Sequence, residues 1–289
     1  MKVKGKNDHT SIVCILFMLS SSVLHAGAMG AESVTPLGTI YVGAFGGVGD
    51  VASVHLVQQG TALYPYGNAG GYINNKGPLA VNAFGKSNHS SAWLAGGHVG
   101  YRWPERTLKH FSDHWTVAPA SELEGYYLGK VTLRGSDLNN STALLFEHNF
   151  HVTYPMQTGV FLVNAVLNAH SADLGRLHPY IGVGTGAAVV SISGAKSLQT
   201  APLEPGVNHY NSDASDTTIA FAAQPKAGIS FYLNQDTNVF LEYRFLYLST
   251  TDFTFGPTSY PTHVATTNWK VKLHSQYYNM GTVGIQFDL

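Results

Sequence analysis

Ser193-Gly194-Ala195-Lys196 sets a hydroxyl and an amine at the S-x-x-K spacing of serine acyl-enzymes, but no S-D-N or K-T-G partner motif accompanies it. Gly182-Val183-Gly184-Thr185-Gly186 has the glycine density of a dinucleotide-binding turn. That turn must open a helix, and Ala187 to Ile192 instead continues as extended apolar chain. No G-x-S-x-G occurs. His110 and His114 flank Asp113, and His148 and His151 stand three apart. A metal needs three or four converging ligands of fixed geometry, and neither pair supplies them. A surface Ser–His hydrolase would need a facing pair, and no spacing marks one. The expectation is therefore no catalytic residue, no metal ligand, no cofactor and no enzyme.

The charged residues are more informative. Glu122, Glu124, Lys130 and Arg134 occupy one stretch, with Arg102, Lys226, Glu242 and Arg244 on others. Each alternates with apolar neighbours at a period of two, the signature of a strand with two unlike faces. Leu123, Tyr127, Val131 and Leu133 oppose the first group, and Leu241, Tyr243 and Phe245 oppose Glu242 and Arg244. If these charges point into a narrow barrel they must pair there, because an unpaired buried ion costs several kcal/mol. An ion-paired plug is expected in preference to a polar ion path, since eight strands leave a lumen that side chains fill.

Eight strands carry this rhythm, at about 38–48, 91–103, 114–135, 149–169, 179–193, 217–233, 239–251 and 273–289. The connections alternate long and short, as in a membrane barrel with long outer loops and short inner turns. Ahead of them, Lys2, Lys4 and Lys6 precede the apolar Ser11 to Leu24, and Ala26-Gly27-Ala28 follows. That order reads as a signal peptide cleaved near Ala28, which removes Cys14, the single cysteine. The expected organisation is a signal peptide at 1–28, a short N-terminal segment at 29–37 and one barrel at 38–289.

Charged residues make up 11% of the 289, against about 25% in soluble domains. With a net charge of −1, nothing suggests a nucleic-acid partner. On the apolar face Trp93 and Trp103 are ten residues apart, as are Phe221 and Phe231, and Tyr277 and Phe287. Ten tilted strand residues rise about 26 Å, close to the ~25 Å between the aromatic girdles of an outer-membrane barrel. The apolar face is therefore expected to meet lipid.

Four segments together resemble a known group. They are Pro179-Tyr180-Ile181-Gly182-Val183-Gly184-Thr185-Gly186, Lys226-Ala227-Gly228-Ile229-Ser230-Phe231, Phe240-Leu241-Glu242-Tyr243-Arg244-Phe245 and the closing Gly284-Ile285-Gln286-Phe287-Asp288-Leu289. The ordered set is similar to the eight-stranded outer-membrane β-barrels of Gram-negative bacteria, the OmpA-like and opacity-protein group, across about 38–289. The chain ends in Leu289 where that group usually ends in Phe. The resemblance implies an all-β, eight-stranded antiparallel up-and-down transmembrane barrel in the outer membrane, reached through the Sec pathway. It implies outer-membrane lipid, lipopolysaccharide and the barrel-assembly machinery as partners, and no catalytic residues. The function expected is structural or adhesin-like, with a host or environmental ligand at the loops 49–90 and 194–216. A small porin-like channel is the alternative, and a lipid-modifying barrel enzyme a more distant one.

Overall fold

The computed structural model describes residues 38–69, 72–107, 115–140 and 148–289. Residues 1–28, expected as a signal peptide, the segment 29–37, and His110, Asp113 and His114 lie outside the described residues.

Eight antiparallel strands close into a ring. They are β1 (Thr39–Val51), β2 (Ser90–Arg102), β3 (Trp115–Asn140), β4 (His148–Ser171), β5 (Leu177–Ser193), β6 (Ser215–Tyr232), β7 (Thr237–Leu248) and β8 (Gln276–Asp288). Each pairs with the next, and β8 returns to β1 with Tyr41 opposite Asp288 and Val51 opposite Tyr278. This is an up-and-down barrel, which leaves no free edge. All eight expected strands are found.

Two corrections concern what lies beyond the ring. The long connections are not open loops. Within them His55–Ala62, Leu79–Ser87, Lys196–Ala201, Thr251–Phe255 and Trp269–Leu273 form further strands. They pair with one another and with the outer ends of β3 and β4. The barrel thus continues into a β-lobe at the end opposite the chain termini.

The second correction is a change of phase. On β3 the even-numbered Glu122, Glu124, Tyr126 and Leu128 are buried, but beyond a register shift the odd-numbered Val131 and Leu133 are. Leu128 faces Thr158 and Val131 faces Met156, so β3 spends three residues where β4 spends two. An extra residue at a bulge reverses which side chains point inward. Lys130 and Arg134 are consequently exposed, not interior charges, and Val131 and Leu133 do not share a face with Leu123 and Tyr127.

The polarity of the wall inverts along its length. Near the termini the outward face is apolar, with Ile181, Leu241 and Val283 each more than 60% exposed. In the lobe that face carries Lys130, Arg134, Asp252, Lys270 and Lys272, and the inside is a hydrophobic core. Phe150, Tyr154, Tyr210, Phe253, Phe255 and Trp269 are its largest side chains. Small residues make room below it: a Cβ on Gly43 would meet the His98 ring, and one on Gly100 the Tyr41 ring.

Candidate functional site

The inward face of the belt-forming half holds charge. Glu122 and Glu124 arrive two residues apart on β3, Lys226 on β6, and Glu242 and Arg244 on β7; alternation turns all five inward. Lys226 Nζ lies 2.6 Å from Glu122, 3.2 Å from Glu124 and 3.5 Å from Glu242. Arg244 Nη1 lies 2.7 Å from Glu124, and its Nε contacts Glu242. Neutral donors add to Glu122 and Glu124. Tyr41 and Asn164 donate to Glu122 at 3.0 and 3.2 Å, and Gln224 donates to Glu124 at 3.0 Å. Five of the eight expected interior charges thus converge in one network.

Arg102 stands apart. It sits at the rim near the termini, 2.6 Å from Asp288 and donating to Tyr232 at 2.7 Å. Asp288 and the neutral partners Tyr41, Asn164 and Gln224 are not among the expected interior charges. Their inward phase was the signal that would have found them.

The network has a floor and a ceiling. Toward the termini lies a cavity of about 20 Å³ lined by Tyr41, His98, Arg102 and Tyr180 among others. Toward the lobe the guanidinium carbon of Arg244 rests 3.8 Å from the Phe45 ring centre. Beyond it Tyr126, Leu128, Tyr278 and Met280 are buried in the hydrophobic core. A water path would have to cross that apolar filling.

The exposed aromatics lie on the outward face as expected. Trp93, Phe221 and Tyr277 belong to the lobe-proximal row and Trp103, Phe231 and Phe287 to the terminal row, all at least 40% exposed. Trp93 packs against Tyr127 with ring centres 5.6 Å apart, and Trp103 against Tyr101 at 5.3 Å.

A second cluster lies in the lobe, where no spacing drew attention. Glu204, His209 and His263 bring one ligand atom each within 4.8 Å of one another. The hydrogen bond to His263 holds the Glu204 carboxyl below its ordinary range. The same bond raises His263, whereas burial pushes His209 down. His148, one of the histidines set aside in the sequence, lines the same cavity.

No family model matches the chain and no curated protein matches it. It is similar to solved outer-membrane proteins at low identity. OprG from Pseudomonas aeruginosa is 12% identical at a TM-score of 0.40, over 87% of this chain and 96% of that one. The protease OmpT from Escherichia coli is 7% identical at 0.37, over 86% and 97%. Neisserial surface protein A is 10% identical at 0.30, over 86% and 96%. Likeness at this level carries no argument about activity, and the barrel rests on its own strand pairing. One expectation is nevertheless corrected: with a protease among these structures, a barrel without recognisable catalytic motifs is no ground for excluding enzyme activity.

Proposed function

We propose that the chain is an integral outer-membrane protein: a closed barrel whose belt sits in the bilayer and whose lobe stands at the cell surface to contact a host or environmental ligand. The observation that carries this reading is the inversion of polarity along the wall. A belt of outward Ile181, Leu241 and Val283 has no aqueous rationale, since large contiguous apolar patches are rare on soluble monomers. Above it the outward charges and inward core are those of a water-exposed domain. The aromatic rows would then lie at the two interfaces, with lipid and lipopolysaccharide against the belt. Localisation in the outer membrane after Sec export, and insertion by the barrel-assembly machinery, belong to the same reading.

The charge network and the apolar filling above it favour a surface role over a pore. Planar-bilayer recording of the refolded chain tests this. Silence is expected, together with faster migration of the unboiled protein on a denaturing gel. Steady single-channel openings would overturn the closed-barrel reading.

A further inference from the structure

The lobe cluster has an arrangement that its own groups leave electrostatically incomplete. His209 Nδ1 lies 3.0 Å from the Ser197 carbonyl oxygen and His263 Nδ1 lies 2.6 Å from the Val264 carbonyl oxygen. A carbonyl only accepts, so each Nδ1 carries a proton, and Nε2 presents a lone pair whenever the ring is neutral. Both Nε2 atoms face the same carboxylate oxygen: Glu204 Oε2 is 3.5 Å from His209 Nε2 and 3.3 Å from His263 Nε2. With both rings neutral, three acceptors converge on one point. One proton on His263 satisfies a single pair, whereas a cation between them satisfies all three.

The spacing has a specific meaning. A tetrahedral zinc with bonds of about 2.0–2.1 Å holds its ligands roughly 3.3 Å apart. Backbone carbonyls on the distal ring nitrogens are the second-shell pattern that fixes tautomer and aim in zinc-bound imidazoles. The rings are also held sideways. His209 is buried, edge-on to Phe150, His263 and Trp269. Its backbone carbonyl accepts from the Thr258 hydroxyl at 3.0 Å, which in turn accepts from Trp269 Nε1 at 3.1 Å. A cavity of about 40 Å³ adjoins the three ligands, with His148 and Gln199 in its wall.

We propose that Glu204, His209 and His263 form a divalent-cation site of the zinc class, with its fourth position open toward this cavity. Two imidazoles and one carboxylate suit zinc and neighbouring transition metals, not calcium or magnesium, which demand oxygen ligands. Glu204 and His209 lie in the connection 194–214 and His263 in the connection 249–275, so the ion would clamp the two together. The proposal does not depend on whether the lobe binds a surface ligand or the barrel conducts.

The test uses the untagged full chain, refolded in detergent and stripped with chelator, titrated with zinc against a chromophoric competitor. One zinc per chain is expected, with no competition from millimolar magnesium. His209→Ala and His263→Ala should each weaken binding by about 100-fold or more, beyond the roughly 10–100-fold that altering an outer-shell partner costs. Glu204→Gln keeps the shape of the site and should weaken binding too. Zinc should slow proteolysis within 194–214 and 249–275 in the parent chain and not in these variants. Unboiled gel migration verifies that each variant keeps its barrel. His55→Ala with His274→Ala removes a separate histidine pair, whose rings lie 6.2 Å apart, and should leave binding intact. No uptake by the parent chain at micromolar zinc would overturn the site, leaving an ion pair only. So would unchanged stoichiometry in the combined His209→Ala, His263→Ala chain.

Discussion

Glu124 and Leu133 stand nine residues apart on one strand, yet both point into the barrel. Unbroken alternation would set them on opposite faces. The bulge between Leu128 and Val131 reconciles them, and it falls where the inside changes from charged to apolar. One extra residue thus lets a single strand serve an outwardly apolar belt and an outwardly charged lobe.

The belt predicts a depth-dependent cost. Val283 is 62% exposed between Tyr277 and Phe287 on β8. Val283→Arg should destabilise the barrel by about 2–4 kcal/mol in a lipid-vesicle refolding titration. Arg134→Ala, on the outward face of the lobe, should stay within about 0.5 kcal/mol. Equal costs at the two positions would contradict the assignment of belt and lobe.

The charge network predicts strong coupling. Arg244 is fully buried between Glu124 and Glu242. Arg244→Ala should cost about 3–5 kcal/mol, because Glu122, Glu124 and Glu242 are then left to share Lys226. Adding Glu124→Ala should cost distinctly less than the sum of the two single changes. A double-mutant cycle by denaturant unfolding checks this, and strict additivity would mean no pairing.

Much of the ring was readable because β6, β7 and β8 alternate without interruption, so Phe221, Leu241 and Val283 declare their face residue by residue. On β3 the same logic misplaced Lys130 and Arg134, because the cue to the bulge is a single glycine, Gly129, in a chain whose strands carry many glycines. The lobe was hidden for another reason. His55–Ala62 pairs with Trp269–Leu273, some two hundred residues away, and short segments inside Gly- and Asn-rich connections reveal no such partner. Glu204, His209 and His263 were invisible likewise, since no local spacing links positions on two connections.

The lobe predicts a local failure. Trp269 is buried beside Tyr210 and His209, and Trp269→Ala should cost about 3–5 kcal/mol of packing. Because the lobe core lies beyond the belt, limited proteolysis should show faster cutting in 249–275 while unboiled gel mobility persists. Loss of the folded gel band would mean that lobe and belt fold as one unit.

A membrane-embedded belt requires that some stretches of the outer wall meet lipid and others water. Spin labels at single cysteines in a Cys14→Ser background, in the vesicle-refolded protein, measure this position by position. Labels at Leu241→Cys and Val283→Cys should relax with dissolved oxygen and ignore a water-soluble nickel chelate. Labels at Lys130→Cys and Lys272→Cys should do the reverse. Nickel accessibility at 241 and 283 equal to that at 130 and 272 would contradict a membrane-embedded belt.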